Sequence, residues 1–158
     1  MREHEYETEI DTRLEGKLGF DRVRTFVADR CSTEYAVTRV TEERFSNDPK
    51  VIRERLALTD EMRLIVMFEE NFPTNGYIDC LDFLKPLEKT GYTIDILSLG
   101  KLRTMVETVR KLTNFFMSIK DGVYPNLKRM SAPVLSFPEV QRRIDQILDK
   151  FGDVKDTA

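Results

Sequence analysis

Apolar residues recur at helical spacing along almost the whole chain. Phe20, Val23, Val27 and Cys31 follow one another at steps of three, four and four, the inward face of a helix of two to three turns. Asp21 in its first turn suits the helix dipole. Ser32 is placed to cap a second helix running to about Arg44, with Ala36 and Val40 inward. Asn47-Asp48-Pro49 interrupts the pattern and supplies both a cap and a helix-starting proline. From there to about Asn71 strong helix formers dominate, and Ile52, Leu56, Met62, Ile65 and Val66 mark the side predicted to be buried. The run Leu64 to Phe68 is apolar all round, which predicts a helix end covered on more than one side.

Phe72-Pro73-Thr74-Asn75-Gly76 reads as a loop by its turn chemistry, and a short helix is expected near Asp79 to Lys89, kinked or split at Pro86. Tyr92 to Leu97 is the one stretch with a marginal strand-like alternation. Ser98 is the expected cap of the clearest helix, Leu99 to about Lys120, in which Leu102, Met105, Val109, Leu112, Phe116 and Ile119 step by three and four as a heptad seam. At 1.5 Å per residue such a helix is roughly 33 Å long. Gly122 closes it, Pro125 to Met130 predicts a short turn of helix, and Pro133 to Ser136 reads as an extended connection. Pro138 then opens a last helix with Val140, Ile144, Ile147, Leu148 and Phe151 inward and Gly152 as its C-terminal cap. The expected fold is all-α: an elongated helical bundle with two long antiparallel helices and several shorter ones.

Composition agrees with a globular domain. The 158 residues are 41% hydrophobic and 34% charged, and the length suits one domain. Charge changes the picture through its placement. Glu3, Glu5, Glu7, Glu9, Asp11 and Glu15 against Arg2, Arg13 and Lys17 account for the whole formal charge of −3, and the rest of the chain is neutral. Residues 1–13 are therefore expected to be an acidic, flexible tail and 14–158 a helical domain without the basic footprint of an autonomous nucleic-acid binder. No apolar run approaches the ~20 residues of a membrane span, and the acidic N-terminus is unlike a secretion signal. Cys31 and Cys80 form no metal-ligand spacing and no disulfide framework, which points to a reducing, cytoplasmic setting.

Candidate chemistry is thin. His4, the only imidazole, falls in the acidic tail, so histidine-based triads and histidine-rich metal sites are ruled out. The seven glycines never cluster, which excludes a P-loop or a dinucleotide fingerprint within this chain. Asp79 and Asp82 have the spacing of paired helical carboxylates, but acids in a first helical turn also serve the dipole, and that reading is preferred. Lys128-Arg129 with Arg142-Arg143 could form a phosphate-contacting patch, although equal numbers of acids nearby favour a mixed solvated face. Cys31 and Cys80 read as small apolar packing residues, and the seam of the long helix as internal core. No catalytic, cofactor-binding or metal residue is assigned.

Several stretches nevertheless resemble a known family. Lys17-Leu18-Gly19-Phe20-Asp21-Arg22-Val23-Arg24 followed by Cys31-Ser32, Leu97-Ser98 leading into the helix at Leu102, and Gly152-Asp153-Val154-Lys155-Asp156-Thr157-Ala158 are similar, in order and spacing, to the second bacterial branch of the MutS family of DNA mismatch repair proteins. That branch is the anti-recombination paralogue that usually carries a C-terminal Smr domain. Thr33-Glu34-Tyr35 departs from the Pro-Leu-Gly type sequence of many members. The resemblance covers about Leu14 to Ala158 and implies the N-terminal part of a larger protein, since members continue from the last stretch into Ser-Pro-x-Leu. It implies a helical core and lever segment joined to clamp and ATPase domains. The parent it implies is a DNA-dependent ATPase using ATP and Mg outside this segment, homodimeric on branched or mismatched DNA, with Smr endonuclease and ribosome-directed roles in some members. The rival expectations are a stand-alone helical protein-protein interaction module and a small enzyme using Asp79 and Asp82 or a reactive cysteine, with no membrane association in any case.

Overall fold

A computed structural model describes residues 13–156. Residues 1–12 of the expected acidic tail, His4 among them, lie outside the described residues, as do Thr157 and Ala158. The described residues are helical and contain no β-strand, only an isolated bridge between Leu148 and Val154. The chain divides into two compact units, Met1–Phe45 and Ser46–Ala158.

In the first unit, residues 13–17 form a helical turn. Gly19 follows at φ 72°, a left-handed conformation that only glycine adopts without strain, and restarts the chain as α1 (Phe20–Ala28). The second helix, α2 (Glu34–Glu42), is capped by Thr33, whose hydroxyl accepts the Ala36 N–H at 3.1 Å. The expected cap, Ser32, lies one residue too early: both side chains are competent, and the extended backbone at Thr33 decides between them. α1 and α2 pack on each other, yet neither contains a buried residue. Val23 and Val27, expected inward, are about half exposed at 53% and 47%.

The second unit begins at Asp48, whose carboxylate accepts the Lys50 N–H at 2.8 Å, with Pro49 in the first turn of α3 (Pro49–Phe68). A short α4 (Leu81–Leu84) passes into a 3-10 turn (Lys85–Glu88) at Pro86, the expected split. The longest helix is α5 (Ile96–Ser118), followed by α6 (Pro125–Ser131) and α7 (Pro138–Ile147). α5 starts three residues before the expected first residue, Leu99. Asp95, not Ser98, caps it, accepting both the Ser98 N–H at 2.9 Å and the Ser98 hydroxyl at 2.6 Å. Those bonds hold the Asp95 carboxyl below its ordinary pKa, and they absorb Tyr92 to Leu97 into a loop and first helical turn with no strand.

The core of this unit lies where the C-terminal halves of α3 and α5 meet the segment around α6. Ile65, Phe115, Phe116, Tyr124 and Leu127 are buried together, with Leu58, Met62, Leu64, Phe72, Leu112 and Ile119 packed around them. Phe72, Phe115 and Phe116 form an edge-to-face trio with centroids 5.2 to 6.4 Å apart. Two expectations are corrected here. Val66, Met67 and Phe68 are mostly exposed, because α3 is covered only along the face of Leu58, Glu61, Met62, Leu64 and Ile65. On α5 the fully buried residues are Val106, Thr108, Phe115 and Phe116, while the other seam positions are half-buried. A heptad seam presumes one partner helix along its whole length. α5 instead meets α7 and then α6, with the Gly76 backbone lying against Thr108, so the buried strip turns with its neighbours.

α7 ends at Ile147, and Gly152 does not cap it. At φ 91° Gly152 serves a tight turn after Asp149, which brings the Lys155 N–H back to the Ile147 carbonyl at 2.8 Å. Ile144 and Leu148 are buried as expected, but Phe151 is 78% exposed.

Candidate functional site

The residues that carried candidate chemistry are not brought together. Asp79 precedes α4 and Asp82 lies in its first turn, so the two do not share a helical face as a carboxylate pair would. Cys80 is buried, and burial together with the nearby Asp79 charge pushes its thiol pKa up, opposite to the shift a nucleophilic cysteine requires. Cys31 donates weakly to the Val27 carbonyl at 3.4 Å. Lys128 is held by Asp121 at 2.6 Å and by the Ile119 carbonyl at 2.7 Å. Arg142 and Arg143 both bind Glu139, which these bonds hold down to about pKa 2. Asp121 precedes α6, Arg129 of α6 faces Glu54 of α3 at 3.9 Å, and Arg142 and Arg143 face a carboxylate of their own helix, so the cations belong to a mixed face, as the local sequence favoured. Among the described residues no group of three or more His, Cys, Asp or Glu side chains could hold a metal ion.

The structure assembles two polar junctions between helices instead. Glu61 and Ile65 lie one turn apart on α3, and Glu69, its C-terminal cap residue, follows one turn further on. Glu61 accepts from the backbone N–H groups of Asn126 and Leu127 at 3.1 and 2.8 Å, and from the Asn126 side-chain amide at 2.7 Å. α6 has no side-chain cap of its own, so a carboxylate from a distant helix satisfies its first-turn donors. One residue after α3 ends, Glu69 accepts the Tyr124 hydroxyl at 3.0 Å, and burial followed by that bond raises the phenol's pKa. Ile65 fills the space between as a fully buried side chain. Sequence reasoning missed Glu61 because a capping partner so far away leaves no local trace; the one signal was an acid inside the apolar face of α3.

The second junction ties α5 to α7. Glu107 accepts a bidentate pair from Arg110 at 2.8 Å and the Gln141 amide at 2.7 Å. The Arg110 bonds and the Gln141 bond, against some desolvation, hold its pKa at about 2. One turn earlier, Arg103 pairs with Asp145 at 2.7 Å and donates to the Asp149 carbonyl at 2.7 Å. Both junctions fix helices relative to one another. A helical packing unit is the class of structure this geometry defines.

Comparison with known proteins gives a more particular likeness. The chain is 25% identical over 151 residues to endonuclease MutS2 of Geobacillus sp. (strain WCH70), covering 94% of this chain and 19% of that protein. It spans about a fifth of the length of the curated relative it matches. No protein-family model matches the chain, and no solved structure matches it. No helix among the described residues is long and apolar enough to cross a membrane.

Proposed function

We propose that this chain is a non-catalytic helical scaffold and lever segment of a MutS-type, ATP-dependent DNA-binding protein. The observation that carries this reading is the similarity to endonuclease MutS2 along nearly the whole chain. The internal organisation suits the role. α5, with 23 residues and roughly 35 Å of length, is braced at one end by the aromatic trio and along its side by the Glu107 and Arg103 junctions. Packed interfaces of this kind move between discrete arrangements and do not deform smoothly, so such a helix passes a displacement from one end to the other. ATP and Mg would be held by a downstream ATPase domain. The parent would bind branched or mismatched DNA as a cytoplasmic homodimer, restrain recombination, and in the same setting act on stalled ribosomes.

A second reading, a stand-alone protein-protein interaction module, is favoured by the exposed apolar end of α3 at Val66, Met67 and Phe68. The coding sequence downstream of Ala158 separates the two. Ser-Pro-x-Leu followed by a Walker A motif is the expected result, whereas a stop codon soon after Ala158 overturns the lever reading and supports the module. On the longer protein, Phe116→Ala should lower the stimulation of ATP hydrolysis by branched DNA more than the basal rate. An equal effect on both would remove α5 from the coupling path.

A further inference from the structure

Within the second unit, a groove of about 390 Å³ runs along the N-terminal half of α5 and the turn that follows α7. Its apolar lining includes Ile78 and the fully buried Leu148. Ile96, Leu97 and Phe151 also line it, at 52%, 72% and 78% exposure. Three large apolar side chains so exposed around one concavity mark a surface that gains by being covered. The charged lining residues are all cationic: Lys101, Arg103 and Lys150, with no Asp or Glu among them. Arg103 is fixed by Asp145 and the Asp149 carbonyl, and the Lys150 ammonium lies 4.8 Å from the Phe151 ring centre. Gly100 keeps the helix side of the groove open, since a Cβ built there meets no heavy atom within 4 Å.

The occupant that fits has negative charge and aliphatic side chains. A single-stranded nucleic acid matches less well: the groove offers one aromatic ring for stacking, its other apolar residues are aliphatic, and Asp145 already neutralises Arg103. We infer that this groove docks an acidic peptide segment of a partner protein, with an aliphatic anchor seated among Ile78, Ile96 and Leu97 and carboxylates facing Lys101 and Lys150. This goes beyond the lever reading and stands whether or not that reading holds.

The test uses the 158-residue chain and a phage-displayed library of random peptides of about twelve residues, the length of segment such grooves accept. Selection should enrich peptides with Leu, Ile or Val anchors flanked by Asp or Glu. A labelled peptide made from the consensus should bind about tenfold more tightly than its twin with Lys in place of the acids, and less tightly as salt is raised. Lys101→Glu should weaken binding about fivefold. Gly100→Leu should abolish binding while leaving the helical circular dichroism unchanged or stronger, because leucine is the better helix former and fills the groove. Enrichment of basic or uncharged peptides, no enrichment at all, tighter binding of a labelled oligothymidine than of the consensus peptide, or full affinity in Gly100→Leu would each overturn the inference.

Discussion

The helices of the α1–α2 pair are more strongly amphipathic than α3 and α5, yet only the cluster built on α3, α5 and α6 closes a core. In the pair, Phe20, Val23, Val27 and Val40 line an open cleft of about 280 Å³, and neither helix holds a buried residue. The interior contact of that unit is polar: Glu15, 4% exposed, pairs with Arg24 at 2.6 Å. In the cluster, a loop side chain, Phe72, and the turn around Tyr124 cover the space that two helices leave open. Two helices meet along a line, and a third element is required before an apolar stripe is enclosed. Amphipathicity supplies a stripe, and burial depends on what covers it.

The largest expected effect lies in the cluster. Phe116→Ala should cost about 3–5 kcal/mol in urea unfolding, because the ring is 6% exposed and packs edge-on against Phe115 and Phe72. A loss below about 1 kcal/mol would break the comparison. Glu61→Ala comes next at about 2–4 kcal/mol, since three donors of the 126–127 segment lose their buried acceptor together. A near-neutral result would mean that water replaces the carboxylate there. Gly76→Ala should cost about 1–3 kcal/mol. Its φ of 83° disfavours any side chain, and the added methyl would collide with the Thr108 hydroxyl.

Glu107→Gln tests the α5–α7 junction through pH. The folded pKa of about 2 lies below the ordinary value of 4.5, so the ionised form stabilises the fold above the ordinary value and that contribution is lost as pH falls toward 2. Acid unfolding followed by circular dichroism should therefore be less steep in the variant across that window, and an unchanged profile would show that Glu107 contributes nothing to acid stability. The smallest effect is expected at Val23→Ala in the pair, within about 0.5 kcal/mol, since half of the side chain already faces solvent. A loss above about 1.5 kcal/mol in the isolated chain would show that the α1–α2 stripe is covered in solution.

Helix positions were largely legible because their signals are local. Asp48-Pro49 starts α3, Pro86 splits the α4 region, and Pro125 and Pro138 open α6 and α7, each through a constraint acting within a few residues. Errors of one to three residues arose where two cappers compete, Ser32 with Thr33 and Ser98 with Asp95. The backbone conformation that selects between them is set only once the helix is in place. The polar junctions were not legible, since Glu61 meets Asn126 and Leu127 from 65 and 66 residues away along the chain. The groove was equally hidden, because Ile78, the start of α5 and the turn at Phe151 come from three distant stretches.

By itself, then, the sequence determined the helical class, most helix starts, and a likeness to MutS proteins that comparison found again at 25% identity. All of these follow from spacing and residue type over short distances. Only the tertiary structure decided which apolar faces are covered. It buried Phe115 beside Phe116, left Val66, Met67, Phe68 and Phe151 in solvent, and turned Glu61 inward to cap another helix. Periodicity defines a face, but the free energy of burying it is realised only where another element arrives to exclude water.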